Sequence, residues 1–450
     1  MRAGRPIAVL VWVGLAVGYS GCSSHTLVPG DAGEPGAEET TPKDGGDPAG
    51  NDDSNDVGGA DPGGCPAAGL PLSERGLLAP GQESGPVELA TCSRDAWVTV
   101  IPRGMKVAVR LQALGSHLLV GAVSYPDDSA WQDKLASFSA SPSVPGGVEF
   151  TSPRSGEFLI QVRSLDPERP SAYSLQIDCL ENCSLRCSRY PLLLVHGWTG
   201  FKSIGPIEYF YNVPDDLSGL GFLPLVAVLD PYNSVEIRSE QLAAQIDDFM
   251  VQSHSRRLDI IAHSQGGLDA RRAISTLGYG DRVAALVTVA TPHHGTPIAD
   301  IALGLLPGPA EDALAFLLNL LGASGGHESD ALASFQSLTT SYLEDDFNPR
   351  NPDDERVEYI SYTGLTCPLG VSCGDICDVE IRWAYDLIYL QAGDNDGMVP
   401  VSSGQWGEFR GTIPADHFDE VGQVAGVTGP NFDHLEFYRS LADLLCDRGH

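Results

Sequence analysis

The residue of this chain best suited to nucleophilic chemistry is a serine at a predicted sharp turn. An apolar run over residues 258–263 breaks at Ser264 and is followed by a helical pattern over residues 268–274. A strand, a tight turn and a helix in this order expose a serine hydroxyl above a sheet, provided that its neighbours are small. Gly266 meets this need, and Ala262 adds only one methyl group two residues before the serine. The pattern predicts a nucleophile, although a chance Ser-x-Gly after a strand would look the same.

A serine hydroxyl attacks an ester only when a histidine takes its proton and a carboxylate holds that histidine in the right tautomer. After a turn of this kind the three groups follow in the order Ser, Asp, His. Asp396 and His417 follow Ser264 in this order. Asp394 and His434 satisfy the same order and are rivals for the two roles.

The segments around these residues alternate between strand and helix patterns. Continuous apolar runs are typical of strands buried on both faces of a parallel sheet. The predicted strands cover residues 191–198, 223–229, 258–263, 283–290, 357–362 and 387–391, and the predicted helices cover residues 238–252, 268–274 and 433–445. This alternation predicts a doubly wound α/β fold over residues 186–450, with Asp396 directly after a strand.

The preceding region has a different pattern. Short segments of alternating apolar and polar residues, separated by Gly and Pro turns, are typical of a β-sandwich. They cover residues 96–101, 106–111, 117–123, 157–162 and 172–177. Two of these stretches, residues 155–162 and 173–177, resemble pre-peptidase C-terminal domains, which are small sandwiches attached to secreted enzymes. We expect a small all-β sandwich over residues 65–185 that serves as an accessory or binding module.

The first residues predict export from the cell. Two arginines precede an apolar run over residues 7–17, which is too short to span a membrane as a helix. Residues 19–22 resemble a bacterial lipobox, with Tyr19 where leucine is usual. Residues 1–22 are thus predicted to be a signal peptide, and Cys22 to carry the lipid anchor of an outer-membrane or cell-surface lipoprotein. Ordinary cleavage nearby, which would give a secreted protein, stays open.

The charge restricts the partners of this chain. A formal net charge of −33 argues against nucleic acid, whose phosphates demand a basic protein face. Residues 23–64 contain ten acidic residues and a single lysine. Such a segment cannot bury enough apolar surface to offset its ordering entropy, so we expect a disordered acidic linker.

Cysteine usage agrees with export. The chain has ten cysteines, which in an exported protein favour disulfide bonds. Setting Cys22 aside leaves nine, so one thiol would remain unpaired, and the spacing does not give the pairing. Cys179, Cys183 and Cys187 are also spaced like zinc ligands, but no histidine or second cysteine pair accompanies them.

Seven short blocks of the second region together resemble a known family, the secreted triacylglycerol lipases of Pseudomonas and Burkholderia. The blocks are residues 196–201, 209–211, 239–245, 263–267, 291–295, 395–397 and 417–423. The resemblance covers residues 190–445 and is more specific than any single motif. It implies an α/β-hydrolase fold with a lid, in an enzyme that hydrolyses long-chain acylglycerols through an acyl-enzyme.

The resemblance also assigns the acid, the base and the oxyanion hole. The N-D-G motif of the family matches Asp396, and its N-H-L-D-E motif matches His417. Asp394 lacks the following glycine, and His434 lacks the trailing Asp-Glu. The main-chain N–H groups that would bind the oxyanion belong to Trp198 and Gln265. The family usually carries leucine at the first of these two positions; tryptophan keeps the main-chain donor and reshapes the acyl pocket. His293 and His294 are interpreted as structural.

A structural Ca²⁺ ion is implied by the same resemblance. The family binds it beside the histidine loop through two aspartates and two main-chain carbonyls, and such oxygen ligands suit calcium. The matching positions are Asp419, Gln423, Val427 and an upstream Asp378 or Asp375. The segment 366–386 is shorter than in the family and rich in cysteine, so the upstream ligand stays open. The alternative for Asp419 is a carboxylate that caps a loop.

Residues 298–321 bear on whether the enzyme is a lipase or a plain esterase. They form two apolar helical segments around a Pro-Gly-Pro break. Their position between the serine and the acid indicates a lid that opens on lipid, although buried core would give the same pattern. We predict hydrolysis of acylglycerols or related hydrophobic esters. The alternatives are an esterase or depolymerase for another ester, and a catalytically silent tethered binding protein. The need for a dedicated foldase is left open.

Overall fold

The computed structural model describes residues 65, 69–128, 131–132, 134–186, 188–198, 203–204, 207–322, 331–370 and 373–450. All of them belong to one compact unit, Val57–His450. The predicted signal peptide with Cys22 and the acidic linker over residues 23–64 lie outside the described residues. Within the described ranges, no helix combines the length and the apolar character needed to cross a membrane.

The first half of the described chain is a β-sandwich. Its strands are β1 Leu72–Leu77, β2 Gln82–Glu83, β3 Val87–Leu89, β4 Arg94–Ile101, β5 Lys106–Ala113, β6 Leu119–Ser124, β7 Lys134–Ala140, β8 Gly146–Thr151, β9 Gly156–Ser164 and β10 Ser171–Glu181. One sheet has the order β1-β4-β9-β6-β7, and the other has the order β2-β10-β5-β8 with β3 also paired to β10. Along β10, Tyr173, Leu175 and Ile177 are buried while the residues between them are partly exposed, as the two-residue period of a strand requires. Side chains from both sheets form one apolar core, and the predicted sandwich is confirmed.

The sandwich contacts the second half of the chain through specific groups. Arg189 pairs with the buried Glu157 of β9 at 2.5 Å between Nε and Oε1. The ring of Tyr125 stacks on His254, with the ring centroids 4.3 Å apart. The two halves are therefore held together by an ion pair and an aromatic stack as well as by the connecting chain.

The second half is built on a parallel sheet. Its strands are β11 Leu192–Val195, β14 Pro224–Val226, β15 Leu258–His263, β16 Val283–Val289, β17 Glu358–Gly364 and β18 Glu408–Ile413, and β12 Ser203–Ile204 and β13 Ile207–Glu208 form a separate hairpin. The sheet has the order β14-β11-β15-β16-β17-β18, and all its pairs are parallel. Leu192 and Leu194 pack into one apolar cluster, whereas Leu193 and Val195 pack into another on the opposite face. Burial on both faces requires continuous apolar strands, and the predicted doubly wound α/β-hydrolase fold is confirmed.

Helices cover both faces of this sheet. They are α1 Val213–Gly219, α2 Val235–Ser253, α3 Gln265–Ile274, α4 Pro297–Ala302, α5 Ala310–Gly322, α6 Ala331–Gln336, α7 Thr340–Tyr342, α8 Asn348–Arg350, α9 Arg382–Ala392 and α10 His434–Asp447. A π-helical turn, Leu343–Phe347, joins α7 to α8, and short 3₁₀ turns cover Tyr279–Asp281 and Asp419–Val421. The predicted helices over residues 238–252, 268–274 and 433–445 correspond to α2, α3 and α10.

The predicted strand over residues 387–391 is wrong, because this segment lies in α9. Ala384, Tyr385 and Ile388 are the buried residues of the helix, and their spacing is that of one helical face. A five-residue apolar run fits a strand or a helix equally well, and the longer period shows only when the preceding residues are included. The sheet instead continues with β18, a partly exposed strand that the sequence did not predict.

Three disulfide bonds join described cysteines, which confirms the disulfide prediction. They are Cys65–Cys92, Cys179–Cys183 and Cys367–Cys373. The zinc interpretation of Cys179, Cys183 and Cys187 is wrong, because the first two sulfurs are bonded to each other and cannot act as thiolate ligands. Cys187 lies outside the described residues, and Cys377 is a buried free thiol.

Candidate active site

Ser264 occupies the turn between β15 and α3. Its φ of 56° and ψ of −134° lie in a region that residues with a side chain rarely adopt, and such strain persists where the surrounding structure fixes a functional residue. A Cβ atom at Gly266 would lie only 2.6 Å from the carbonyl oxygen of Val195, so this position has no room for a side chain. Ala262 is fully buried, which shows that the strand accommodates its methyl group.

His417 joins the serine to a carboxylate. Its Nε2 atom lies 3.0 Å from Oγ of Ser264, and its Nδ1 atom lies 2.8 Å from Oδ2 of Asp396. The other oxygen of Asp396 accepts hydrogen bonds from the main-chain N–H groups of Met398 and Val399. Only 8% of the serine, 1% of the aspartate and 7% of the histidine is exposed. In this arrangement the imidazole can take the serine proton while the carboxylate fixes its tautomer.

The rival residues do not join this group. Nδ1 of His417 faces Asp396, and the neighbouring Asp394 contributes its main-chain oxygen to the N–H of Val401. His434 binds the main-chain oxygen of Tyr211 through Nε2 at 2.9 Å. The two histidines interpreted as structural bind other side chains, Thr288 in the case of His293 and Glu344 in the case of His294.

The loop after β11 lies directly against the serine. A Cβ atom at Gly197 would lie 2.5 Å from Cβ and 2.9 Å from Oγ of Ser264, so a glycine is required there. The carbonyl oxygen of Gly197 accepts a hydrogen bond from Nη2 of Arg238 at 3.3 Å. Arg238 is fully buried and pairs with Asp269 at 2.8 Å. Because the peptide group is planar and trans, this contact also fixes the N–H of Trp198, which points away from Arg238.

The second predicted main-chain donor belongs to Gln265, the first residue of α3. The N–H groups of a first helical turn have no partner within the helix and point outward at its N-terminus. The side chain of Gln265 is fully buried and donates to the main-chain oxygen of Asn233 at 3.1 Å, which holds the start of the helix in place. Trp198 and Gln265 thus flank Ser264 from the loop and from the helix.

Three buried polar residues beside the serine were not predicted. Nδ1 of His263 lies 2.6 Å from the hydroxyl of Tyr209, and its Nε2 lies 2.7 Å from Oε2 of Glu420. The same oxygen of Glu420 is 3.7 Å from Nδ1 of His417. Burial raises the pKa of Glu420, as does the neighbouring Asp396, and burial lowers the pKa of His263. The available signal was a histidine directly before the serine and a glutamate three residues after His417.

A cluster of carboxylates lies next to the histidine loop. Oxygen atoms of Asp375, Asp416 and Asp419 lie within 4.8 Å of one another, and all three residues are buried. Burial and the neighbouring acids raise the pKa of Asp416 to about 7 and that of Asp419 to about 8. Neither carboxylate oxygen of Asp375 has a hydrogen-bond partner among the described residues. A Cβ atom at Gly429 would collide with Oδ1 of Asp375, so this side of the cluster is kept clear.

The other predicted calcium ligands lie on the two chain segments that carry these aspartates. Of the two upstream candidates, the structure places Asp375 in the cluster, whereas half-buried Asp378 donates its main-chain N–H to Oδ2 of Asp416 at 2.8 Å. Gln423 and Val427 follow on the same loop, where their N–H groups bind the carbonyls of Phe418 and Val424. Oδ2 of Asp419 accepts the N–H of Gly429 at 2.7 Å, which is the contact expected of a loop cap.

The segment predicted as a lid forms α4 and α5. Ile298 and Ile301 of α4 and Leu317 of α5 belong to the same buried apolar cluster as Trp198. The indole of Trp198 also meets Phe335 of α6 edge to face, with ring centroids 5.2 Å apart. Apolar residues of α4, α5 and α6 therefore pack against Trp198, in the loop that lies against Ser264.

Comparison with known proteins gives relatives that cover a little more than half of this chain. No protein-family model matches the chain. A triacylglycerol lipase from Vibrio cholerae is 29% identical over 287 residues, which is 58% of this chain and 89% of the relative. The lipase from Pseudomonas fragi is 28% identical over 58% of this chain and 98% of its own length. The lipase from Burkholderia plantarii is 28% identical over 54% of this chain and 82% of its own length.

Two solved structures are among those similar to this chain. Bacillus licheniformis lipase BlEst2 in its mature form has a TM-score of 0.44 and 19% identity, covering 57% of this chain and 91% of that one. The pre-peptidase C-terminal domain of a collagenase from Bacillus anthracis has a TM-score of 0.19 and 11% identity, covering 24% of this chain and 97% of that one. From the sequence relatives, this chain is a homologue of the bacterial triacylglycerol lipases, and the predicted resemblance to the Pseudomonas and Burkholderia enzymes is confirmed.

Proposed function

We propose that this protein is a serine hydrolase that cleaves long-chain acylglycerols through an acyl-enzyme on Ser264. The observation that carries the proposal is the position of His417, whose ring bridges the Oγ atom of Ser264 and the carboxylate of Asp396. The relatives named triacylglycerol lipase support acylglycerols as the substrate class.

The geometry supports a two-step reaction. Nε2 of His417 takes the proton of Ser264 while Oγ attacks the ester carbonyl carbon, and Asp396 stabilises the resulting imidazolium. The N–H groups of Trp198 and Gln265 bind the negative charge that develops on the carbonyl oxygen. His417 then protonates the leaving alcohol, and an acyl-serine remains. His417 takes a proton from water, which attacks the acyl carbon; the bond from this carbon to Oγ then breaks, His417 returns the proton to Oγ, and the fatty acid is released.

Substrate length tests this function. The apolar residues of α4 and α5 around Trp198 favour long acyl chains, and each buried methylene contributes about 0.8 kcal/mol, or up to about fourfold in kcat/KM. We expect kcat/KM to rise from butyrate to laurate esters and the rate to increase further when the substrate forms an emulsion. The measurement is titration of released acid across the series, below and above the solubility limit.

The outcomes of that series separate the alternatives. A preference for acetate or butyrate esters, with no response to an interface, would indicate an esterase rather than a lipase. A depolymerase would cleave a suspended polyester faster than any acylglycerol. Failure of the wild type to react with a fluorophosphonate probe would leave a tethered binding protein as the remaining function.

We also propose that the carboxylate cluster binds Ca²⁺, with Asp375 as the upstream ligand beside Asp419. Three buried carboxylates and the unpaired oxygens of Asp375 fit a hard divalent cation, which prefers oxygen ligands. The main-chain carbonyls of Gln423 and Val427 would complete the site. Bound calcium would supply positive charge that offsets carboxylate repulsion. The chain's own contribution is to hold Asp419, two residues from His417, in a fixed loop.

A lipid anchor on Cys22 is the proposed link to the membrane, with residues 23–64 as an acidic tether and the sandwich as an accessory module. Its support is the charged and apolar pattern before the cysteine. We expect Cys22→Ser to move the protein from the membrane fraction to the soluble exported fraction, with an unchanged kcat/KM on a soluble ester. Fractionation and immunoblotting measure this, with Ser24→Ala as the control. Wild-type protein in the soluble fraction would contradict the anchor.

A further inference from the structure

We propose that Tyr209, His263 and Glu420 form a buried chain of hydrogen bonds that positions the oxyanion loop, defined as residues 196–198. The main-chain N–H of Gly197 donates to the hydroxyl oxygen of Tyr209 at 3.1 Å. That hydroxyl lies 2.6 Å from Nδ1 of His263, whose Nε2 lies 2.7 Å from Oε2 of Glu420. The proposal rests on the proposed function, because it assigns the three residues a role in the reaction at Ser264.

The direction of each bond follows from the groups available. The N–H of Gly197 can only donate, so the oxygen of Tyr209 accepts. The tyrosine hydroxyl then donates to Nδ1 of His263, which must be without a proton, and Nε2–H donates to Glu420. Burial lowers the pKa of His263, which agrees with a neutral ring. In the reverse direction, the hydroxyl hydrogen of Tyr209 would have no acceptor among the described residues. Glu420 therefore sets the tautomer on which the other bonds depend.

The chain of hydrogen bonds from Glu420 to Tyr209 holds one of the two peptide groups in the oxyanion loop. Tyr209 binds the N–H of Gly197, which belongs to the peptide group between residues 196 and 197. Arg238 binds the carbonyl of His196 at 2.8 Å, in this same peptide group, and the carbonyl of Gly197 at 3.3 Å, in the next peptide group, where it faces opposite to the N–H of Trp198. Fixing both planes prevents the glycine from rotating. A donor that is already oriented stabilises the oxyanion without reorganisation during the reaction.

None of the three residues is among the groups assigned to contact the ester, although Oε2 of Glu420 lies 3.7 Å from Nδ1 of His417; the contact of Tyr209 with Gly197 connects them to the loop. Tyr209 is 2% exposed, and His263 and Glu420 are fully buried. Their bonds connect residues that are 54 and 157 positions apart in sequence. They are therefore positioning residues: their loss should change the stabilisation of the transition state more than the binding of the ground-state ester.

Tyr209→Phe tests this role, because it keeps the ring and removes both hydrogen bonds. We expect kcat on a soluble ester such as p-nitrophenyl butyrate to fall about tenfold to a hundredfold, with KM within about twofold of wild type. The matched control is Tyr438→Phe. Tyr438 is 1% exposed and lies in the same apolar core, and its hydroxyl has no hydrogen-bond partner among the described residues. Its loss should leave kcat within about twofold. Equal losses in both variants, or an unchanged kcat in Tyr209→Phe, would overturn the proposal.

A second pair of variants at His263 guards against a simple folding defect. The amide oxygen of His263→Asn can stand near the place of Nδ1 and accept the proton of Tyr209, whereas His263→Leu cannot. We expect the asparagine variant to retain at least several times the kcat of the leucine variant when both show a folded melting transition. Equal kcat values in the two variants would contradict the proposed hydrogen-bond chain.

The failure of the proposed function would look different. If the wild type did not react with a fluorophosphonate probe, the proposed function would be overturned and this proposal with it. If Ser264 were labelled and Tyr209→Phe retained its full kcat, only the positioning chain would be overturned. Probe labelling followed by peptide mapping therefore belongs in the same experiment.

Discussion

Ser264→Ala is expected to lower kcat by about 10⁴-fold to 10⁶-fold, because it removes the nucleophile and leaves only the binding groups and main-chain donors. The substitution deletes one oxygen at a buried turn, so the melting temperature should stay near that of the wild type. Steady-state rates on a soluble ester, together with a melting curve, measure both effects. Ser440→Ala on α10 is the matched control and should keep the wild-type rate. Near-normal turnover by Ser264→Ala would remove this serine from the reaction.

The two neighbouring aspartates allow the acid of the same triad to be checked. Asparagine at position 396 keeps the size of the side chain but favours the wrong tautomer of His417, a change that in serine proteases costs about 10⁴ in kcat. Asp394→Asn should change kcat only a few-fold, because Nδ1 of His417 faces Asp396. A large loss in Asp394→Asn with an active Asp396→Asn would reverse the assignment.

The nucleophile could be predicted from the sequence because the features that identify it lie close together in the chain. A strand, small neighbours at Ala262 and Gly266, and a helix start all fall within a few residues of Ser264. The acid was harder to place. Its position came from chain order and a family motif, and the strand predicted before it proved to be α9. Asp396 still reaches the site because its loop returns to the end of β17, where a Cβ atom at Gly364 would lie 2.9 Å from Cβ of Asp396.

The positioning chain could not be predicted, because it is made by tertiary contacts alone. Glu420 follows His417 in a short 3₁₀ turn, and a glutamate in such a segment ordinarily has an exposed side chain. Its burial and its bond to His263 depend on how the histidine loop packs against β15. The upstream calcium ligand could not be predicted from the sequence for the same reason. Asp375 and Asp378 lie in an irregular segment without periodicity, and only the fold shows which one joins Asp416 and Asp419.

The disulfide bonds likewise include pairs that are close in sequence and one pair that is distant in sequence. Cys179–Cys183 and Cys367–Cys373 close short loops, with sequence separations of 4 and 6. Cys65–Cys92 spans 27 residues and joins the start of the described chain to the turn before β4. Composition predicted that these thiols are oxidised, but many pairings are compatible with the same count. The pairing followed from backbone positions that no spacing rule supplies.

Removal of calcium is expected to have the largest effect on stability. Burial and mutual repulsion raise the pKa values of Asp416 and Asp419, so their ionisation at neutral pH opposes folding unless a cation is present. A ligand at about 100 times its Kd contributes about 2.7 kcal/mol, which for a domain of this size is on the order of 5 °C in melting temperature. EDTA should lower the melting temperature and kcat together, because Asp419 lies two residues from His417, and excess Ca²⁺ should restore both.

Two aspartate variants decide which carboxylate responds to the metal. Asp375→Asn removes a charge from the cluster and should leave a protein whose melting temperature no longer changes with EDTA or added Ca²⁺. Asp378→Asn, three residues away, is the matched control, because its main-chain N–H still binds Asp416 and its carboxylate is not one of the three that lie within 4.8 Å of one another. It should keep the full response to calcium. The loop-cap alternative for Asp419 requires a different result: Asp419→Ala would be destabilised through the lost bond to Gly429, while the wild type would melt at the same temperature with and without chelator. That last outcome would remove calcium from the site.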